Sequence, residues 1–170
     1  MENKNLISLK EFHIPRWNEL PDVDLYLDQV VKLVNSCLAA GSYKKDDSGI
    51  LTKTMINNYV KNNLIEPPVK KQYSKIQLAK LFVICILKQV YSMQNIKSLI
   101  DIAVVGSDVQ AAYDKFCSLF EEALQCTYGK RDFIRNNAGS DRLYLLKAVL
   151  LSCSYKIYVD SIIEPERSEK

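Results

Sequence analysis

Apolar residues recur three and four positions apart through most of this chain, and the breaks in that rhythm mark out six helices. The first begins after Asp22, an acid able to cap free N–H groups. Its apolar positions Val23, Leu27, Val30, Val31, Val34 and Leu38 keep helical spacing up to Gly41, a left-handed stop. Residues 42–49, with Lys44-Lys45-Asp46-Asp47, read as a polar loop. Thr52 caps a second helix that runs to about Asn63, and Pro67-Pro68 then prevents its continuation. Ser74 caps a third, with Leu78, Leu81, Phe82, Cys85, Ile86 and Val90 on its buried stripe. Ser92 caps a fourth, Met93 to about Val105, with Ile96, Leu99, Ile100 and Ala103 on one face.

Gly106-Ser107-Asp108 is the sharpest break. Beyond it the periodicity predicts two longer helices, Val109 to Tyr128 and Asp141 to about Ile163. They are joined by a linker that carries Lys130, Arg131, Arg135 and Asn136-Asn137. The last helix is apolar on several sides, with Leu143, Leu145, Leu146, Val149, Leu150, Ile157, Val159 and Ile162. It is therefore either a central strut or a helix whose outer face meets a second copy. Residues 1–21, punctuated by Pro15, Trp17 and Pro21, read as an arm lying on the helical body. Residues 164–170 read as a charged, frayed tail. The resulting division is an arm (1–21), a head (22–105), a helical hairpin (108–163) and a tail (164–170).

Composition supports an all-α globular protein: 170 residues, 48% apolar, 25% charged, with only five glycines and five prolines. The five cysteines form no C-x-x-C pair, so a disulfide framework or zinc knuckle is not expected. Each sits among apolar neighbours as a small core residue of a reducing compartment. The N-terminus lacks the apolar run of a signal peptide. The most apolar stretch, Leu143 to Ile163, is interrupted by Lys147, Lys156 and Asp160, which excludes a membrane span. A cytoplasmic location follows as the expectation.

Charge changes the picture in one place. Lys53 to Lys97 holds eight lysines and one acid, a net +7 in a chain whose total is +3. The second helix lies in this window. Ile56, Tyr59, Val60 and Leu64 form its packing face, and Thr54, Asn57, Asn58 and Lys61 fall on the other side. Asn pairs with adenine, Thr meets a thymine methyl or a phosphate, and Lys reaches guanine or phosphate. These four residues are the candidates to face bases. Lys53, Tyr59, Lys70, Lys71 and Tyr73 are the candidates to contact phosphates. The competing reading of the same lysines is a solvated surface.

From Thr54 onward the chain resembles the MerR type of winged helix-turn-helix regulator. Thr54 to Ile65, with Tyr59 and Leu64 in Tyr-x4-Leu spacing, resembles the recognition helix. Lys70-Lys71-Gln72-Tyr73 resembles the end of the wing, and Ser74 to Ile100 resembles the two helices that follow. Where those regulators carry arginine, tyrosine, an acid and glycine, this chain has Asn57, Asn58, Val60 and Asn63. The wider chain, including Ile14-Pro15-Arg16-Trp17 and Leu25-Tyr26-Leu27-Asp28-Gln29, resembles an uncharacterised bacterial domain-of-unknown-function family that contains this core. The resemblance implies a MerR-like head on a C-terminal helical hairpin, binding double-stranded DNA; a homodimer through the C-terminal helices is expected because one short helix reads too few base pairs.

Enzyme chemistry has no foothold in the sequence. His13 is the only histidine, and there is no Ser/His/Asp set, no H-E-x-x-H, no P-loop and no metal-ligand spacing. Neither cofactor nor metal is expected, and any small-molecule effector is left unassigned. Tyr113, Phe116, Phe120, Tyr128, Tyr144, Tyr155 and Tyr158 either line a pocket between the last two helices or pack as core, and packing is the preferred account. The expected function is a DNA-binding transcriptional regulator without catalytic activity. Its alternative is a helical adaptor that keeps the scaffold without binding DNA.

Overall fold

Short polar caps set where the helices of this protein begin. Thr52, Ser74, Ser92 and Asp108 each accept a hydrogen bond from the backbone N–H three residues on. The structure, a computed structural model, describes residues 12–39, 49–133 and 139–168, with side chains to residue 163. It is mostly helical. Among the described residues are six α-helices: α1 (Leu27–Leu38), α2 (Lys53–Lys61), α3 (Lys75–Leu87), α4 (Met93–Val104), α5 (Val109–Tyr128) and α6 (Asp141–Ser168).

The all-α expectation needs one amendment. Two short strands, β1 (Leu25–Tyr26) and β2 (Gln72–Tyr73), pair antiparallel with Leu25 opposite Tyr73 and Tyr26 opposite Gln72. The first helix consequently starts at Leu27, five residues later than the expected Asp22 cap. Val23 stays exposed, and Asp22 pairs instead with Lys75 at 2.7 Å. The strand pairing draws residues 25–26 into extended backbone before helix can form. Val90 likewise leaves the third helix, because the chain turns after Leu87, and it is 44% exposed. α6 continues helical backbone to Ser168, through most of the expected tail. The Gly41 stop and most of the loop 42–49 lie outside the described residues.

The helix covered on most sides is α3, not the last one. Leu78, Leu81, Phe82, Ile84, Cys85, Ile86 and Leu87 are all buried, under α1, α5 and α6. Full burial of such a side chain stabilises by about 1.5–3 kcal/mol, so this helix anchors the core. α5 and α6 pack along their length through Phe120, Leu124, Leu150, Cys153 and Ile157. A buried Thr127–Ser154 hydroxyl pair at 2.8 Å lies within that seam. The outer side of α6 is left open, with Tyr144, Tyr155, Val159 and Ile162 exposed, which removes the central-strut alternative.

The N-terminal arm is docked onto α5. Arg16 forks onto Glu121 with Nη1 to Oε1 at 2.8 Å and Nη2 to Oε2 at 2.5 Å. The Glu121 carboxylate also accepts the Ile14 N–H at 2.7 Å. Asp114 accepts the Trp17 N–H at 2.7 Å, and the Tyr113 hydroxyl donates to the Pro15 carbonyl at 2.8 Å. Ile14 is fully buried beneath these bonds, and Phe12 packs edge-on against Phe120.

Candidate nucleic-acid interface

α2 divides as its periodicity predicts. Ile56 and Tyr59 are buried, while Lys53, Thr54, Asn57, Asn58 and Lys61 are exposed. Thr52 begins the helix by accepting the Met55 N–H at 3.2 Å. Its angle to α1 is held by a residue that periodicity does not single out, Asn35. The Asn35 Oδ1 accepts the N–H groups of Ile50 and Leu51 at 2.7 and 2.9 Å, and its Nδ2 donates to the carbonyls of Val31 and Leu51. One amide thus joins α1 to the chain entering α2. Gly49 suits the close approach: its φ is +73°, and a Cβ there would stand 3.2 Å from the Asn35 Oδ1.

A hairpin flanks the helix. Val69 and Gln72 exchange both backbone hydrogen bonds, at 3.0 and 2.9 Å, so Lys70 and Lys71 are its two apical residues. Both have left-handed backbone, φ +50° and +67°, the pattern of a type I′ turn. That turn favours Asn-Gly, because a Cβ in this region is strained by roughly 1–2 kcal/mol per residue. Two lysines at a strained apex place cationic side chains where the turn alone would choose neither.

Gln77 fixes the hairpin to the core. Its Oε1 accepts the Ser74 N–H at 2.8 Å, and its Nε2 donates to the carbonyls of Glu66 and Pro67 at 2.8 and 3.2 Å. The Ser-x-x-Gln capping box was the signal in the sequence that could have found it. The hairpin and the start of α2 are neighbours through α1: Gln72 pairs with Tyr26, and Asp28, two residues on, pairs with Lys53.

The phosphate candidates separate. Tyr59 is 1% exposed, and its hydroxyl has no hydrogen-bond partner among the described residues. Burial pushes its pKa up to about 12. Tyr73 is 3% exposed, with a pKa also raised by burial. Both rings fill the core beneath the sheet and α2, and the Tyr59 hydroxyl is carried in with its ring. Lys53 is exposed but spends its charge on Asp28. Lys80 pairs with Glu66 at 2.6 Å and holds that carboxyl below its ordinary pKa, while Lys75 lies between Asp22 and the Trp17 ring. Lys61, Lys70 and Lys71 are exposed and without an acidic partner among the described residues.

The base-facing candidates stay together on one face of α2, in different states. The Asn58 Oδ1 accepts from Asn62 Nδ2 at 2.9 Å, and its Nδ2 lies 3.9 Å from Met93 Sδ, so its amide is partly occupied. No side-chain hydrogen bond to another described residue restrains Thr54 or Asn57.

Of the aromatic residues considered for a pocket, Phe116 lines a cavity, Phe120 packs against Phe12, and the others do not join them. Tyr113 reaches Pro15, Tyr128 stacks edge-on with Tyr158, and Tyr144 and Tyr155 point to solvent. Among the described residues no helix is long and apolar enough to cross a membrane.

Residues 15–116, more than half of the chain, match the family described as Domain of unknown function (DUF1836). The chain belongs to the DUF1836 family. No curated protein and no solved structure matches it. The DUF1836 match begins in the docked arm, contains α1 to α4 with the hairpin, and ends at Phe116 within α5. Pro15 and Tyr113, and Trp17 and Asp114, are therefore pairs internal to the DUF1836 region, and Arg16 reaches beyond it to Glu121.

Proposed function

We propose that this protein is a DNA-binding transcriptional regulator whose head, residues 22–105, docks on duplex DNA in the manner of a MerR-like winged helix-turn-helix. One observation carries the reading: an apex of two lysines in left-handed conformation stands beside a helix that exposes Thr54, Asn57 and Lys61. Backbone strain is retained where the strained group has work to do, and cations on a hairpin tip suit the phosphates flanking a groove. α2 would enter the major groove with Thr54, Asn57 and Lys61 toward the bases, Asn58 contributing once released from Asn62. Lys70 and Lys71 would hold the backbone. Asn63 supports the same register. It has φ +55°, and it stands where MerR-type regulators carry glycine; asparagine is the other residue that tolerates this region.

A single nine-residue helix reads few base pairs, so the functional unit is a dimer. The exposed Tyr144, Tyr155, Val159 and Ile162 on the outer side of α6 supply a face for a second copy, and residues 108–163 serve as the dimerisation or sensing hairpin.

The deciding experiment is a salt titration of binding to mixed-sequence duplex DNA. Affinity is expected to fall steeply with salt. Replacing Lys70 and Lys71 by glutamine should flatten the slope by about 0.9 per lost phosphate contact, roughly 1.8 for each protomer, and adding Lys61→Gln should weaken binding further. Absence of binding at low salt would remove the regulator and leave the helical adaptor.

A further inference from the structure

A cavity of about 300 Å³ lies on the opposite flank of the head from the arm, between α3, α4, α5 and α6. Its floor is the buried trio Leu87, Phe116 and Val149, and its walls include Val83, Leu99, Ala103 and Leu146. Among the described residues no carboxylate lines it. The polar groups are confined to the exposed rim, where Lys115 and Arg142 stand with Ser107 and Ser140. Arg142 is held there, its guanidinium donating to the Ile102 carbonyl and, at 2.6 Å, to the Val105 carbonyl, so closing the C-terminal end of α4. Lys115 has no hydrogen bond or ion pair to any described residue.

An apolar hollow whose described lining holds two cations and no acid is complementary to one class of ligand. We infer that this cavity binds a small amphipathic anion, an aliphatic or aromatic carboxylate whose apolar body enters between the helices. Its head group meets Lys115 and the Arg142 edge. The volume falls at the lower bound of small-molecule sites and holds about ten groups of water or methylene size at roughly 30 Å³ each. Burial of the tail supplies affinity, and the rim selects the sign of the head. Because Val83 and Leu87 of α3 line the cavity, and Gln77 near the start of α3 holds the 66–67 turn, the ligand would sit against the helix to which the hairpin is fixed.

Binding is measured without DNA, so its outcome is separate from that of the regulator reading. The full chain is titrated by calorimetry with sodium decanoate, with decan-1-ol and with decyltrimethylammonium, all below their aggregation limits. Decanoate is expected to bind saturably at one per chain, and the cation at least about tenfold more weakly. Lys115→Glu, a change on an exposed site, should weaken decanoate by a similar factor, while Ala112→Phe should fill the cavity and abolish binding. Equal binding of the two charged probes, unchanged decanoate affinity in Lys115→Glu, or no saturable binding would overturn the inference.

Discussion

A tyrosine among lysines on an amphipathic helix can point out toward phosphate or in toward the core, and Tyr59 points in. Its spacing from Ile56 already set it on the packing face. What spacing could not show was that the hydroxyl would be carried in with the ring and left without a partner. A buried, unsatisfied hydroxyl costs about 1–3 kcal/mol. Tyr59→Phe should therefore leave stability unchanged or raise it by about 1 kcal/mol, with DNA affinity unaltered. Denaturant midpoints and a binding isotherm on the variant check this, and a loss of affinity would return Tyr59 to the interface. Lysines of one composition divide in the same way. Lys53, Lys75 and Lys80 are each tied to an acid from another segment, whereas Lys61, Lys70 and Lys71 keep their charge for a partner.

At the scale of elements, the hairpin 69–72 sets stability against the proposed DNA binding most openly. Asn-Gly is the natural occupant of its apex, so Lys70→Asn with Lys71→Gly should stabilise the fold by about 1–2 kcal/mol. The same pair should weaken duplex binding and lower its salt slope. Thermal melts and DNA titrations on the double variant would show both; a stabilised protein with undiminished binding would deny the apex any role. The helices were readable in advance because their signals are local. Thr52, Ser74, Ser92 and Asp108 are caps, and α5 occupies the predicted span Val109–Tyr128. β1 and β2 were not readable, because two residues are too few to display a period of two, and their partners lie 46 to 48 positions apart.

At the scale of the whole molecule, one core joins the arm, the head and the C-terminal helices, and two measurements test how it is closed. Burial pushes the Cys117 and Cys153 thiols up to about 12, from an ordinary value of 9.0. The folded chain therefore keeps protons that the unfolded chain sheds. Stability should be full below about pH 9 and fall as pH rises toward 12, by up to about 1.4 kcal/mol per pH unit for each thiol. Denaturation midpoints at pH 8, 9.5 and 11 would show this, and Cys153→Ala should reduce the slope. The exposed face of α6 makes the second test. Ile162→Glu with Tyr155→Glu should convert a dimer to a monomer in sedimentation, with an unchanged helical spectrum and weaker binding to two-half-site DNA.

By itself the sequence determined the helices, the two faces of α2 and the concentration of lysine around it, since caps and periodicity act within a few residues. It also contained the Ser74-x-x-Gln77 box, although only the fold shows that Gln77 grips the 66–67 turn. Tertiary structure decided the rest. It sent Tyr59 and Tyr73 inward, neutralised three of the lysines, set Lys70 and Lys71 on a strained apex and hooked Arg16 onto Glu121, 105 residues away. Those outcomes depend on which surfaces meet, and burial and ion pairing exist only between segments that folding has brought together.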